Sequence, residues 1–317
     1  MPDTPIDSRK ASPARVRKRN RIVILGRTQA GKTVYLAALY DACWNNDKHM
    51  QVEAVDGRSH KAMMENIETL RSGRWPSSTS GIRYIDLVAR CDGVVRPLTC
   101  IDYPGEVFSK AFIDGVETDD VHELLEHIDQ AAAVISLVDP RVVTKESATK
   151  SMDDNFGMAK AIERIRSWPE GDKVPIAIVL TKCDKYHHHI KSKGGPIVFV
   201  RKYYPSLINA AGKAKVFEST AITTRRGDRE GSSVFRKFSS QGVVEPLRWA
   251  MNELNQNERR IQQEQMAKET RKHLEKINKE ELANKQKAIK LWTIGWILFV
   301  LIFAGVAITA ALIVLPE

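Results

Sequence analysis

The stretch with the clearest chemistry is residues 26–33, GRTQAGKT, which fits the pattern G-x-x-x-x-G-K-[ST]. Gly26 and Gly31 allow the backbone to wrap closely around phosphate oxygens, and Lys32 can reach the β- and γ-phosphates of a nucleotide. The hydroxyl of Thr33 is a suitable Mg²⁺ ligand. The pattern therefore predicts a nucleoside triphosphate site. Other backbone positions expected to line it are Thr28, Gln29, Ala30 and Val34.

Apolar runs on both sides of this loop supply the elements that must position it. Ile22–Leu25 is short and apolar, as expected for a buried strand, whereas Val34–Tyr40 continues with residues that favour a helix. A helix that begins directly after the loop points its N-terminal amide groups at the bound oxygens. The alternative is a chance glycine turn between a strand and a helix, and the agreement of both flanks with the loop argues against it.

A second motif follows a strand predicted over Val94–Ile101, which ends in the sequence DYPGE, residues 102–106. An aspartate at the tip of a strand beside the phosphate loop suits a second Mg²⁺ contact, usually through water. We therefore expect Asp102 to serve the metal and the amide of Gly105 to contact the γ-phosphate.

A third motif, TKCD at residues 181–184, follows a buried strand predicted over Val174–Leu180. The carboxylate of Asp184 can accept hydrogen bonds from guanine N1 and N2, a donor pair that adenine lacks. The stem of Lys182 can stack along the base, and the Thr181 hydroxyl can join this loop to the phosphate loop. A last short strand, Lys215–Ser219, leads into two small residues able to contact the guanine edge, Thr220 and Ala221.

Strands and helices alternate between these motifs, which predicts an α/β fold with a doubly wound, mostly parallel sheet of about six strands. A polar segment over 45–72 has an amphipathic helical pattern. Further strands are predicted over Ile82–Ala89 and Ala131–Val138. Helices are predicted over 118–129, 152–167 and Val243–Leu254.

Taken together, the motifs resemble those of a TRAFAC-class GTPase, the group that includes Ras-like proteins and translation factors. In detail the chain is most similar to bacterial double-GTPase-type domains from conflict and defence loci. The resemblance is carried by GKTVYLAALY (31–40), DYPGE (102–106), LVDP (137–140) and TKCD (181–184), within about residues 20–256. It implies GTP and GDP as ligands with Mg²⁺, an effector or companion GTPase as partner, and a role in defence.

The resemblance also implies a switch threonine that binds Mg²⁺ and the γ-phosphate before the second strand. Thr79 is the candidate, and its close rivals are Ser77, Ser78 and Ser80.

The sequence departs from the Ras-like pattern in two ways. Glu106 stands where many relatives have a glutamine that orients the attacking water, and its charge near the γ-phosphate would disfavour a fast reaction. Thr28 and Gln29 stand where glycines are common, which narrows the space for an arginine finger. Slow turnover or a non-standard activator is expected.

Charge and hydropathy divide the rest of the chain of 317 residues, whose net charge is +10. Residues 1–20 read as a disordered basic arm, with solvation favoured over contact with nucleic acid or anionic lipid. The GTPase domain is predicted over 21–256. Residues 257–290 are polar almost all round and predict a helical stalk, for which a coiled coil is only weakly supported.

The stretch Leu291–Leu315 contains no charged residue and is long enough to cross a bilayer as a single transmembrane helix. Lysines precede it, and Trp292 and Trp296 lie at the lysine-flanked end, where interfacial aromatic residues belong. We expect a tail anchor in the bacterial inner membrane with the GTPase domain in the cytoplasm. Nucleic acid is not an expected partner.

Cysteine, histidine and arginine side chains could also carry chemistry. The four cysteines show no paired spacing and are expected to be reduced thiols. His187–His189 could form a metal site, but a solvated loop over 185–214 is favoured. Arginines at 225, 226, 229 and 236 could supply an arginine finger in cis, although a solvent-facing loop is favoured.

Three functions remain open at this point. The first is a membrane-tethered GTPase switch. The second is a scaffold that holds GTP with little or no turnover, which Glu106 keeps open. The third is a P-loop ATPase or kinase, which Asp184 disfavours because its carboxylate matches guanine.

Overall fold

A computed structural model describes residues 19–27, 29–45, 49–76, 83–103, 105–141, 148–223 and 238–313. Its strands form one seven-stranded sheet with the order β2-β3-β4-β1-β5-β6-β7. The strands are β1 (Arg21–Gly26), β2 (Met50–Ala54), β3 (Arg83–Cys91), β4 (Val94–Asp102), β5 (Ala131–Val138), β6 (Ile176–Leu180) and β7 (Lys215–Glu218). β4, β1, β5, β6 and β7 run parallel, whereas β2 and β3 form antiparallel pairs at one edge. The predicted α/β fold with a mostly parallel sheet is confirmed.

The described helices connect these strands or follow the last of them. They are α1 (Lys32–Asn45), α2 (Gly57–Arg71), α3 (Gly105–Ser109), α4 (Asp119–Asp129), α5 (Ala148–Arg166), α6 (Cys183–Ser192), α7 (Pro196–Tyr203), α8 (Pro205–Ala211) and α9 (Glu245–Ile313). A π-helical turn, Lys110–Asp114, continues α3.

The central strand β1 is buried on both faces of the sheet. Ile22 and Ile24 pack into a core formed with α1, α2 and the first turns of α9. Val23 and Leu25 face the opposite core, which α4 to α8 cover. Complete burial of an aliphatic side chain contributes about 1.5–3 kcal/mol relative to exposure. This double burial explains why the strand reads as an unbroken apolar run, and it fixes the position of the loop that follows.

One strand in the segment 45–72 was not predicted. β2 is short, with only Met50 and Val52 buried and polar residues between them, and it pairs with β3 at the sheet edge. The helical pattern of the same segment belongs to α2, which buries Met63, Ile67 and Leu70. The estimate of about six strands was therefore too low, because a short edge strand alternates with polar residues and carries a weak pattern.

The prediction of a solvated loop over 185–214 was wrong, because α6, α7 and α8 occupy this segment. Proline stands at the start of both α7 and α8, where its fixed φ angle suits the first helical turn. Phe199 and Leu207 anchor the segment in the core and are fully buried.

The chain divides into two compact units, with the boundary between Gln256 and Asn257. α9 comprises 69 residues, and its side chains are described as far as residue 302. The predicted span Leu291–Leu315 thus extends beyond the described side chains. In the part of the chain that is described, no helix combines the length and apolar character that crossing a membrane requires.

Candidate functional site

The connection between β1 and α1 forms a tight loop at the carboxyl end of the central strand. Gln29 and Gly31 have φ angles of 65° and 87°. The amide of Ala30 donates to Arg27 O at 3.1 Å, and that of Tyr35 donates to Gly31 O at 2.7 Å. A Cβ atom on Gly26 would lie 3.1 Å from the Leu137 Cβ atom and 3.2 Å from the Leu137 carbonyl oxygen. Gly26 thus allows the loop to begin in close contact with β5.

Lys32 is buried at the start of α1, and its amine faces back over the loop. Its Nζ atom donates to Gly26 O at 2.8 Å and lies 4.3 Å from the centre of the Tyr103 ring. The Tyr103 hydroxyl donates to the same Gly26 carbonyl at 2.9 Å. A buried amine held by carbonyl and ring can exchange that carbonyl for phosphate oxygens, so the loop fits a polyphosphate.

Tyr103 is a site residue that sequence reasoning missed. It is the second residue of the DYPGE motif, where only Asp102, Gly105 and Glu106 had been assigned roles. Its ring stacks on Phe108 of α3, with ring centroids 5.7 Å apart. Tyr103 therefore joins the phosphate loop to the helix that follows the second motif.

The TKCD loop lies directly against the phosphate loop. The Thr181 hydroxyl donates to Ala30 O at 3.0 Å and lies 3.2 Å from Val138 O. Lys182 Nζ donates to Gln29 O at 2.7 Å. The two motifs, about 150 residues apart in sequence, are therefore in direct contact, as a site that binds phosphates and a base together requires.

The Thr220 segment is attached to the other side of the TKCD loop. The amide of Cys183 donates to Ser219 O at 3.2 Å, and that of Ser219 donates to Leu180 O at 2.8 Å. Thr220 then forms an isolated antiparallel bridge with Gln241. Asp184 lies in the first turn of α6, and both its side chain and Ala221 are half-buried. The expected base-contacting residues thus lie on adjoining segments.

The surroundings shift the pKa values of two titratable side chains in this loop. Burial lowers the pKa of Lys182, and the neighbouring carboxylate of Asp139 partly offsets that shift. Burial raises the pKa of the Cys183 thiol to about 12. Cys183 is therefore a neutral thiol at physiological pH, and it packs into the core instead of acting as a nucleophile.

The proposed metal ligands are only partly described. Thr33 is half-buried in the first turn of α1, and Asp102 is the last residue of β4. β4 pairs in parallel with β1, with Cys100 opposite Ile24, so the two chain segments that carry these residues leave the sheet side by side. Hydroxyl and carboxylate oxygens are ligand types that Mg²⁺ prefers.

Several predicted positions lie outside the described residues. They are Thr28, Thr79 with its rivals Ser77, Ser78 and Ser80, the side chain of Asp102, and the arginines at 225, 226, 229 and 236. Gly105 begins α3, Glu106 is exposed in its first turn, and Val34 packs against the core from α1.

The histidine triplet lies on α6, where consecutive side chains point in different directions. His187 Nδ1 lies 3.6 Å from Glu218 Oε1. Across the described residues, no cluster of three or more histidine, cysteine, aspartate or glutamate side chains could hold a metal ion.

Comparison with known proteins agrees with this geometry. The sequence profile of the Double-GTPase 2 family matches residues 20–237, which is more than half of the chain. The chain belongs to the Double-GTPase 2 family. The phosphate loop, the DYPGE and TKCD motifs and Thr220–Ala221 all fall within the matched range, so the Double-GTPase 2 domain contains every predicted site residue. The family places a P-loop GTPase domain here and supports guanine nucleotide as its ligand.

One solved structure that resembles the chain is the Roco2 RocCORdC protein of Methanosarcina barkeri bound to GDP, at 17% sequence identity and a TM-score of 0.29. The match covers 63% of this chain and 43% of that one, so this chain spans less than half of that protein. Curated proteins give no match.

Proposed function

We propose that this protein binds GTP with Mg²⁺, hydrolyses it to GDP, and acts as a nucleotide-dependent switch for a partner protein. The observation that carries the proposal is the direct contact between the phosphate loop and the TKCD loop, through Thr181 to Ala30 O and Lys182 to Gln29 O. These contacts fix the spacing between a polyphosphate cradle and a carboxylate that matches guanine.

Each residue then has a defined part in the reaction. Lys32 binds the β- and γ-phosphates, and Asp184 accepts the guanine N1 and N2 hydrogen bonds. Thr33, Thr79 and Asp102 would hold Mg²⁺, which neutralises charge on the phosphates when bound. The Gly105 amide contacts the γ-phosphate, and Glu106 takes the position next to the attacking water. Because a carboxylate there repels the phosphates, intrinsic turnover is slow and an activator or companion GTPase accelerates it.

We further propose that residues 291–315 tether the protein to a membrane, with the GTPase domain on the cytoplasmic side. The uncharged run Leu291–Leu315 supports this, as do the three lysines that precede it at 285, 287 and 290. The resemblance to domains from conflict and defence loci supports the bacterial inner membrane as the location and defence as the setting.

A second candidate function is a scaffold that binds GTP without turning it over. Glu106 favours this alternative, because it stands exposed at the start of α3 in place of a neutral water-orienting side chain. In such a scaffold GTP would remain bound as a structural ligand.

Phosphate release by the full-length protein under multiple-turnover conditions distinguishes these functions. We expect slow release from GTP, none from ATP, and none from either with Lys32→Ala. Stoichiometric GTP binding without release would establish the scaffold instead. Equal turnover of ATP and GTP would contradict the guanine assignment.

A further inference from the structure

Asp139, which directly follows β5 in the sequence LVDP, has a carboxylate at the centre of a contact network between the TKCD loop, called the base loop from here on, and the phosphate loop. One oxygen accepts a hydrogen bond from Lys182 Nζ, and the other accepts one from the Arg141 amide at 2.9 Å. Lys182 in turn donates to Gln29 O, and the Arg141 guanidinium donates to Gln29 Oε1 at 2.6 Å. The network therefore closes through Gln29, a residue of the phosphate loop.

From this geometry we infer that Asp139 is a positioning residue of the nucleotide site, which acts through Lys182 to hold the base loop ready for guanine. The inference rests on the proposed function, because it concerns the affinity of the same site for guanine nucleotides.

The conformation of Lys182 shows why such a partner is needed. Its φ angle is 57° and its backbone is left-handed, a conformation that costs a non-glycine residue about 1–2 kcal/mol. Strained backbone of this kind persists where the surrounding contacts hold it in place. Lys182 has two such contacts, to Asp139 and to Gln29 O, and both hold the side-chain amine.

Asp139 is itself firmly held. Its side chain is 5% exposed, and its carbonyl oxygen accepts a hydrogen bond from the buried Tyr204 hydroxyl at 3.1 Å. Replacing the carboxylate with an amide keeps its shape but removes the charge that the half-buried ammonium of Lys182 faces. Lys182 should then lose its preferred orientation, and the stem that stacks on guanine should become mobile in the free protein.

The end of α4 offers a matched control. Asp129, just before the start of β5, forms an ion pair with Arg164 through two hydrogen bonds of 2.8 Å. Asp129→Asn therefore removes a comparable ion pair at the opposite end of β5. It should lower the free energy of unfolding without changing nucleotide affinity.

Calorimetric titration of the full-length protein with GDP and with GTP tests the inference. Asp139→Asn should lower the affinities for GDP and for GTP by the same factor, about tenfold or more, because both nucleotides carry the same base. Asp139→Glu, which keeps the charge, should fall between Asp139→Asn and wild type. Lys182→Met should abolish the effect, so that adding Asp139→Asn to it causes no further loss.

Unchanged GDP affinity in Asp139→Asn would overturn the inference. So would a double variant, Asp139→Asn with Lys182→Met, in which the fold losses of GDP affinity of the two single variants multiply. If circular dichroism shows that Asp139→Asn does not fold, the same cycle is run with Asp139→Glu under the same criteria. A wild-type protein that binds neither nucleotide would instead refute the proposed function itself.

Discussion

At the scale of single residues, the site depends on shared contacts between side chains and loop carbonyls. Lys32 Nζ and the Tyr103 hydroxyl both donate to Gly26 O, at 2.8 Å and 2.9 Å. When phosphate oxygens bind Lys32, the Gly26 carbonyl still accepts the hydrogen bond from the Tyr103 hydroxyl. Tyr103 thereby lets the lysine move without leaving an unsatisfied carbonyl behind.

Glu106→Gln should hydrolyse GTP at least as fast as wild type, because the substitution removes a negative charge beside the γ-phosphate and keeps a group that can orient water. Single-turnover hydrolysis of pre-bound GTP measures this directly. Glu117→Gln, a neutralisation in the exposed segment before α4, provides a control for the change in net charge. A rate loss of about tenfold or more in Glu106→Gln alone would make Glu106 a catalytic group.

At the scale of elements, the base loop depends on the segment that follows β7. Thr220 is held by reciprocal backbone hydrogen bonds with Gln241, of 2.8 Å and 2.7 Å. The next residue, Gly242, has a φ angle of 69°, and a Cβ atom there would lie 2.2 Å from Glu218 O. No side chain fits at this position unless the backbone of β7 moves.

Gly242→Ala should therefore lower the free energy of unfolding and the affinity for GDP, because it displaces the segment that carries Thr220 and Ala221. Gly115→Ala is the matched control. Its φ angle is 66° and no atom lies within 4 Å of a Cβ placed there, so it carries only the conformational cost of about 1 kcal/mol. Denaturant unfolding and GDP titration of both variants measure the difference. Equal effects on stability and on affinity would show that the contact with Glu218 O is unimportant.

Elements with a strong local signal could be predicted from the sequence, and elements fixed by tertiary contacts could not. β1 and β5 are almost entirely apolar, and the ends of β4 are marked by a turn and by the DYPGE motif, so the bounds predicted for these strands are right to within about a residue. β2 has only two buried side chains, and α7 and α8 begin at prolines within a polar segment. The prolines at 196 and 205 are the sequence signal for these two helix starts.

The same distinction applies to the site. The motifs locate Lys32, Thr181 and Asp184, because phosphate and guanine chemistry fixes their types and spacing. Asp139 and Tyr103 were missed because each acts through a contact with a residue more than forty positions away. A sequence pattern does not contain that information, whereas a sheet that gathers strand ends at one edge does.

At the scale of the whole molecule, residues 20–237 belong to the Double-GTPase 2 family, and the region after residue 256 forms a separate compact unit. The proposed membrane segment lies in that second unit. Several apolar side chains earlier in α9 are exposed, among them Leu274 and Ile277, at 55% and 40%. Charged substitutions at these two positions therefore serve as controls for charged substitutions within the proposed membrane segment.

Ile302→Asp together with Phe303→Arg should release most of the protein from membranes. A charged residue at the centre of a span costs about 2.5–3.5 kcal/mol on the insertion scale, and two such residues should prevent stable insertion. Ile277→Asp with Leu274→Arg introduces the same charges outside Leu291–Leu315 and should leave membrane association unchanged. Sedimentation with carbonate-washed membranes measures both. Retention of the Ile302 and Phe303 variant would refute the tether.

The central claim is that guanine nucleotide binds across the phosphate loop and Asp184. Calorimetric titration of wild type and Asp184→Asn with GDP and xanthosine diphosphate tests it most directly. Xanthine has a carbonyl where guanine has its N2 amine, so an amide matches xanthine and a carboxylate matches guanine. Wild type should bind GDP and should not bind xanthosine diphosphate. In Asp184→Asn the binding free energy for GDP should fall by about 2–3 kcal/mol, and xanthosine diphosphate should now bind. Equal GDP affinity in the two proteins, without binding of xanthosine diphosphate to Asp184→Asn, would contradict the account.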